Sequence, residues 1–312
     1  EELVLSARAG TPLQEIEAAL AEHNQYMAFE PLDYGPLFSG EPNSGTIGGA
    51  ISCNLSGPRR VKVGAARDHF LGFSAVSGRG ETFKSGGRVV KNVTGYDLMK
   101  LMAGSFGTLG VMSDITIKVL PAPQDEKSYL LYGLADERAM EAMSLALNSS
   151  CEISSAAHVP QGLASKIDQE NTEQAITVLR LEGHGPSVSY RAEQLEALLQ
   201  EFGAGGLIHK DGSEILWRSL RDGAPLAGDA ESSVWRISVP PKSGASYVEG
   251  LNLGSDVPYF YDWGGGLIWL SLTGGDNASL LRDGLEGLTG HATLISSPEA
   301  APDRTRANQP LG

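Results

Sequence analysis

The chain has 312 residues, is 41% hydrophobic and 20% charged, and carries a formal net charge of −14. That is enough for two soluble domains of ordinary size, and too acidic for a nucleic-acid backbone or an anionic lipid surface as a general partner. The two cysteines, Cys53 and Cys151, cannot hold an iron–sulfur cluster or a thiolate metal site, and their scarcity fits a reducing cytoplasm.

The sequence opens at Glu1 inside a strand-like pattern, as a fragment or a processed chain would. It shows no signal peptide and no apolar run long enough to span a bilayer. Leu3, Leu5, Ala7 and Ala9 alternate with polar neighbours, which predicts a strand. After Gly10, the run Thr11-Pro12-Leu13-Gln14 predicts a helix with a Thr11 cap, Pro12 in its first position and Gln14 closing a capping box. Leu13, Ile16 and Leu20 form its apolar face. Phe29–Pro36 reads as a loop.

The most unusual stretch is Ser44–Arg60, with Gly45, Gly48 and Gly49 beside Thr46, Ser52, Asn54 and Ser56. Two readings stand side by side. Glycines with positive φ and successive N–H groups can form a nest for a phosphate or a flat polar cofactor, or the stretch is an ordinary glycine-rich turn. A short helix over Ala50–Leu55 would point its N-terminus at whatever the loop holds. Arg59 and Arg60 face either a carboxylate or phosphate, or an interface.

Arg67 and Asp68 read as a surface ion pair before a strand over Phe70–Val76. His69 has no second ligand at metal spacing. Ser77–Gly80 is a hairpin turn leading to Glu81–Lys84. Gly86–Asp97 gathers glycines, cations, Asn92 and Tyr96 before a helix whose buried side is Leu98, Leu101 and Met102, with Gly104 as its stop. Ser105–Gly110 repeats the style of the first loop. A strand then buries Val111, Ile115, Ile117 and Val119, and Pro121 and Pro123 end it.

Three of these stretches together resemble the FAD-binding domain of the vanillyl-alcohol oxidase/PCMH flavoprotein family: Gly45-Thr46-Ile47-Gly48-Gly49 with Asn54 and Gly57, then Val90–Leu98, then Gly104–Val111. Glu30-Pro31, Tyr34-Gly35, Gly57-Pro58-Arg59-Arg60, Asp262-Trp263-Gly264-Gly265 and Gly290–Thr293 extend the resemblance to the FAD-binding subunits of bacterial glycolate oxidases. The resemblance implies FAD as cofactor, lined by Gly45, Thr46, Ile47, Gly48, Gly49, Asn54, Ser56 and Gly57 from the first loop and Gly107, Thr108, Leu109, Gly110 and Val111 from the second. Lys91, Asn92 and Tyr96 are expected beside the flavin ring.

It implies as well a small 2-hydroxy acid substrate (glycolate, oxidised to glyoxylate), a second FAD-linked catalytic subunit, an iron–sulfur subunit, and a cytoplasmic location at most peripheral to the inner membrane. The family's preceding lobe, with its own pyrophosphate loop, is expected to be missing from residues 1–122. None of the six histidines forms a His-x-His motif, so no catalytic residue is assigned. The alternatives are a stand-alone 2-hydroxy-acid dehydrogenase anchored by Arg59, Arg60 or Lys91, and a flavin-free scaffold subunit.

From Lys127 the pattern becomes regular. Strands are expected at Tyr129–Leu134, Ser155–Val159, Ala175–Leu181 and Leu207–His209, with helices at Asp136–Leu147 and Ser187–Phe202. A helix at Ser213–Arg221 and a linker at Asp222–Glu231 lead to a second round: Val234–Val239, Ala245–Leu253, Tyr259–Trp263, Leu267–Leu272, Ala278–Leu285 and His291–Leu294. Two β-α-β-β-α-β units predict a cap domain over 127–295, an antiparallel sheet of two ferredoxin-like halves with helices on one face. The expected fold is therefore α+β, a PCMH-type FAD-binding domain followed by this cap, with an irregular tail over 296–312.

Overall fold

The computed structural model describes residues 3–38, 42–87, 96–167, 174–229, 231–274 and 277–298. The chain divides into two compact units, Glu1–Pro36 with Gly40–Pro123, and Leu37–Ser39 with Gln124–Gly312.

The first unit contains β1 (Val4–Arg8), α1 (Leu13–Ala21), β2 (Gln25–Tyr26), α2 (Ile47–Ser52), α3 (Arg60–Val63), α4 (Ala66–His69), β3 (Phe70–Val76), β4 (Thr82–Gly86), α5 (Leu98–Met102), β5 (Val111–Lys118) and β6 (Leu120–Pro121). Its sheet is antiparallel in the order β1-β5-β3-β4, and β2 pairs with β6 beside it. Leu13, Ile16 and Leu20 of α1 pack with Ile47 and Ile51 of α2 and with Ile115 and Ile117 of β5 in one core.

Several local expectations are corrected. α1 begins after Pro12, and no side chain caps it. Thr11 instead lies in the turn before the helix, where its carbonyl accepts from Ile47 N at 3.1 Å. α2 starts three residues earlier than expected and takes in Gly48 and Gly49, because Thr46 caps it by accepting from Gly49 N at 3.2 Å. In α5 the buried side is Met99 and Met102, while Leu101 is 59% exposed. In β5, Met112 is buried and Val111 is 71% exposed. The cause is a bulge: Ala75 faces Met112 and Ser74 faces Asp114, so Ser113 has no opposite residue and the side-chain alternation inverts there.

The second unit contains β7 (Asp125–Tyr132), α6 (Asp136–Leu147), β8 (Ser155–Val159), α7 (Gln161–Ala164), β9 (Ile176–Gly183), α8 (Gly185–Leu198), β10 (Gly205–His209), α9 (Lys210–Arg221), β11 (Ser232–Ser238), α10 (Gly244–Gly250), β12 (Tyr259–Asp262), β13 (Leu267–Thr273), α11 (Asn277–Asp283) and β14 (His291–Ser296). All eight strands join one antiparallel sheet, in the order β10-β7-β9-β8-β12-β13-β11-β14. Each half has ferredoxin-like strand order, and the two are fused edge to edge by the pair Tyr261 and His158.

Met143 of α6, Leu195 of α8, Val248 of α10 and Leu281 of α11 share a core with Tyr129, Ile237, Tyr261 and Ile268 of the sheet. α9 lies on the other face. Lys127 bonds Ser189 of α8, whereas its neighbours Glu126 and Ser128 bond Ser213 and Trp217 of α9, and adjacent strand residues point to opposite faces.

Asp136, at the first position of α6, straps the seam between the halves. Its Oδ2 accepts from Tyr259 OH at 2.9 Å and from Tyr261 OH at 2.6 Å, and its Oδ1 lies 3.3 Å from His158 Nε2. No helix among the described residues is long and apolar enough to cross a membrane. Of the expected tail, Ser296 closes β14 and donates to Leu37 O at 3.0 Å, and residues from 299 on lie outside the described set.

Candidate functional site

The two glycine loops meet in the first unit. Gly104 N donates to Ile51 O at 3.2 Å and Phe106 N donates to Ser52 O at 2.9 Å, so the end of α2 and the loop before β5 form one wall. Asn54 makes the corner. Its φ is +51°, a left-handed conformation that asparagine tolerates better than most residues, and its Oδ1 accepts from Arg67 N at 3.0 Å. Ser56, 1% exposed, donates to Asn54 O at 3.2 Å and accepts from Ala66 N at 2.9 Å. Gly57 N donates to Phe29 O at 2.9 Å. Asn54, Ser56 and Gly57 therefore hold the wall in shape from behind.

The expected nest of amides is not present at the front. Ile47 N and Gly48 N donate to the carbonyls of Thr11 and Ala9, Gly49 N to the Thr46 hydroxyl, and Ala50 N to Thr46 O. Nor do Gly45, Gly48 and Gly49 take positive φ. Gly48 is required for a different reason: a Cβ there would lie 2.7 Å from Ala9 O and 2.9 Å from Ala9 Cβ. The first loop is thus stitched to the turn after β1.

What the wall offers outward is open and mostly apolar. Gly49, Gly107 and Thr108 are exposed, and nothing lies within 4 Å of a Cβ added at Gly107. Around them Phe106 is 55% exposed, Leu109 46% and Val111 71%. Gly110 is half-buried, close to Phe83. Exposed side chains of this size in one short stretch mark a surface that something covers. A flat aromatic ring suits these apolar side chains, and the first loop's amides from Ile47 to Ala50, which already have acceptors, are not free for a phosphate. The site residues present thus fit a flavin through the outer surfaces of both loops. Tyr96 is strongly exposed beside α5, and Lys91 and Asn92 lie outside the described residues.

Arg59, Asp68 and His69 are each engaged within the unit. Arg59 Nη1 pairs with Glu30 Oε1 at 2.6 Å, Arg59 N donates to Glu30 Oε2 at 2.8 Å, and the guanidinium stacks over Tyr26 at 5.0 Å. Both side chains of this pair are nine-tenths buried or nearly so. Glu30 was missed as a structural residue; its signal was a lone carboxylate between Phe29 and Pro31. Asp68, expected to pair with Arg67, instead accepts from Ala65 N at 2.9 Å and caps α4. His69 is buried, with Nε2 3.0 Å from Val63 O. Burial, only partly offset by that hydrogen bond, holds the ring below its ordinary pKa and so neutral. Burial also raises the Cys53 thiol, which makes it a poor thiolate for a flavin tether. Among the described residues no group of three or more His, Cys, Asp or Glu could hold a metal ion.

A glycine-loop wall on an antiparallel sheet, followed by a cap of paired ferredoxin-like halves, is the architecture of PCMH-type flavoproteins. A family described as FAD binding domain matches residues 1–86. Along 299 residues the chain is 34% identical to the glycolate oxidase subunit GlcE of Escherichia coli K12, covering 95% of this chain and 72% of that protein. It is 29% identical over 184 residues to the glycolate oxidase subunit GlcD of Bacillus subtilis 168, covering 54% of this chain and 37% of that protein. A crystal structure of alkyldihydroxyacetonephosphate synthase has the same fold, with a TM-score of 0.65 at 15% identity, over 93% of this chain. The chain spans 60% of that solved chain.

The chain belongs to the family of the glycolate oxidase subunit GlcE, within the vanillyl-alcohol oxidase/PCMH-type flavoproteins, and its cofactor is FAD.

Proposed function

We propose that this chain is the FAD-binding subunit of a multi-subunit glycolate oxidase that converts glycolate to glyoxylate beside a second FAD-linked subunit and an iron–sulfur subunit in the cytoplasm. The observation that carries the reading is the joined wall of the two glycine loops, whose outer surface is open at Gly49, Gly107 and Thr108 and apolar at Phe106, Leu109 and Val111. The names of the GlcE and GlcD relatives support the substrate and the partner subunit.

FAD supplies the acceptor for the hydride that leaves the substrate carbon. The residues of this chain bind and orient it. Phe106, Leu109 and Val111 cover apolar ring surface and exclude water, the Thr108 hydroxyl, which donates to Ser105 O at 2.6 Å, offers an acceptor at the rim, and Gly49 and Gly107 allow close approach. Gly45, Thr46, Ile47 and Gly48 hold the first loop, and Asn54, Ser56 and Gly57 brace it. Lys91, Asn92 and Tyr96 complete the ring environment in this reading, and substrate oxidation belongs mainly to the partner subunit.

The test is to co-express the protein with its neighbouring subunits, purify the complex and measure flavin content and glycolate-dependent dye reduction. A Phe106→Ser, Leu109→Ser variant should lose most of the flavin assigned to this subunit while the complex still assembles. Full flavin retention in that variant would refute the wall as the cofactor site, and robust glycolate turnover by this subunit alone would refute the division of labour.

A further inference from the structure

We propose that the cleft between the C-terminal end of α8 and the edge strand β10 docks an extended, lysine- or arginine-bearing segment of a partner polypeptide. The cleft is open, encloses about 470 Å³, and is lined by Tyr129, Glu193, Glu196, Gln200, Ala204 and Gly205, among others. Glu193 and Glu196 lie three residues apart on the exposed side of α8, so their carboxylates share one face. Neither has a basic partner among the described residues. The cation nearby, Arg138, is committed elsewhere: it pairs with Glu141 at 2.5 Å, lies 3.7 Å from Glu201 and stacks on Phe202 at 4.0 Å.

An acidic pair alone is a solvated helix face. Tyr129 is the second, independent observation. It is 2% exposed, yet it lines the cleft, and its hydroxyl has no hydrogen-bond partner among the described residues. Gly205 makes room for it, because any Cβ at that position would collide with the Tyr129 hydroxyl and ring. The fold thus keeps a phenol oxygen at the floor of a cleft walled by two carboxylates. Burial, and then the Glu196 carboxylate, push its pKa up, so it remains a neutral phenol that donates or accepts.

Such a floor fits an ammonium or guanidinium group, with its aliphatic stem lying along the small residues of the wall. A metal ion is a poorer fit, since the described residues supply no set of three ligands. The strand edge then decides between a free amine and a polypeptide. β10 pairs with β7 on one side and ends the sheet on the other, so its outer backbone groups can accept a further strand. Alternate side chains of an added strand would enter the cleft. The charge of the unit agrees: residues 124–312 contain twice as many acidic as basic side chains.

The experiment uses the full FAD-loaded chain and a fluorescent peptide of alternating threonine and lysine, read by anisotropy at low salt. A second peptide of equal charge carries proline in place of alternate threonines and cannot add to a strand edge. Spermidine serves as the small-cation competitor. The proposal expects the threonine–lysine peptide to bind, a Glu193→Gln, Glu196→Gln variant to weaken it about tenfold, Tyr129→Phe to weaken it severalfold, and the proline peptide to bind poorly. Equal binding of both peptides, or displacement by spermidine at matched charge, would overturn strand docking in favour of a free-cation site. Unchanged binding in the double variant would overturn the site altogether. Both glutamates are exposed and the phenylalanine keeps the ring, so these variants should retain the fold.

Discussion

Gly48 and Gly49 are adjacent in α2, and alanine should act on them in opposite directions. At Gly48 the added methyl would lie 2.7 Å from Ala9 O, 2.9 Å from Ala9 Cβ and 3.1 Å from Ala9 C. These atoms belong to fixed backbone or its first carbon, so α2 must shift away from the turn after β1. Overpacking of this kind costs about 1–3 kcal/mol, and the hydrogen bond from Gly48 N to Ala9 O, 2.8 Å long, adds about 1 kcal/mol when lost. The expected total is about 2–4 kcal/mol, a fall of about 1–2 M in urea midpoint if the slope is about 2 kcal/mol/M.

At Gly49 the nearest atom to an added methyl is Thr46 Oγ1 at 3.5 Å, ordinary contact, and the residue is helical and exposed. Gly49→Ala should therefore stabilise by up to about 1 kcal/mol through helix propensity. It should still weaken flavin binding, because the methyl projects from the proposed ring wall. All four tryptophans lie in the second unit, so their emission does not report on α2. The assay is hydrogen exchange of the 47–51 amides under urea, with flavin absorbance in parallel. If Gly48→Ala leaves exchange and midpoint unchanged, the close-approach argument fails. If Gly49→Ala retains flavin like the wild type, Gly49 does not face the cofactor.

The Glu30–Arg59 pair gives a second test in the same unit: Arg59→Met removes the guanidinium from a buried carboxylate that keeps neutral donors such as the residue-59 amide, and should cost about 3–5 kcal/mol, while adding Glu30→Gln should recover part of that loss in urea melts. The seam of the cap unit should be acid-sensitive. Burial pushes the Asp136 carboxyl up, but the nearby His158 ring and the hydrogen bonds from Tyr261 and Tyr259 outweigh it and hold the group below its ordinary value. Its contribution is therefore complete above the unfolded pKa of about 4 and is lost as pH falls through the lower folded value. Tyr261→Phe should flatten that acid limb in tryptophan-monitored unfolding, and an acid limb as steep as that of the wild type would count against the strap.

Much of the cap was legible in the sequence because each element carries its own period. Asp136–Leu147 and Ser155–Val159 have the expected bounds, since helix and strand repeats are local. The inverted face of β5 was not legible: Val111 and Met112 exchange roles because of a bulge set by pairing with β3, far off in sequence. The glycine loop shows the same limit. Its small residues signalled a tight, ligand-facing segment, but composition does not reveal which acceptors reach the amides of Ile47, Gly48 and Gly49.

The sequence by itself determined the family and its FAD cofactor, the two rounds of β-α-β-β-α-β and the acidity of the cap, all properties of residue type, order and spacing. Tertiary structure alone decided that Gly48 is small to admit Ala9, that Arg59 is held by Glu30, and that the two halves share one sheet through Tyr261 and His158. Each of these depends on a contact between segments remote in the chain, and the energy of such a contact belongs to the pair of segments and to neither one alone.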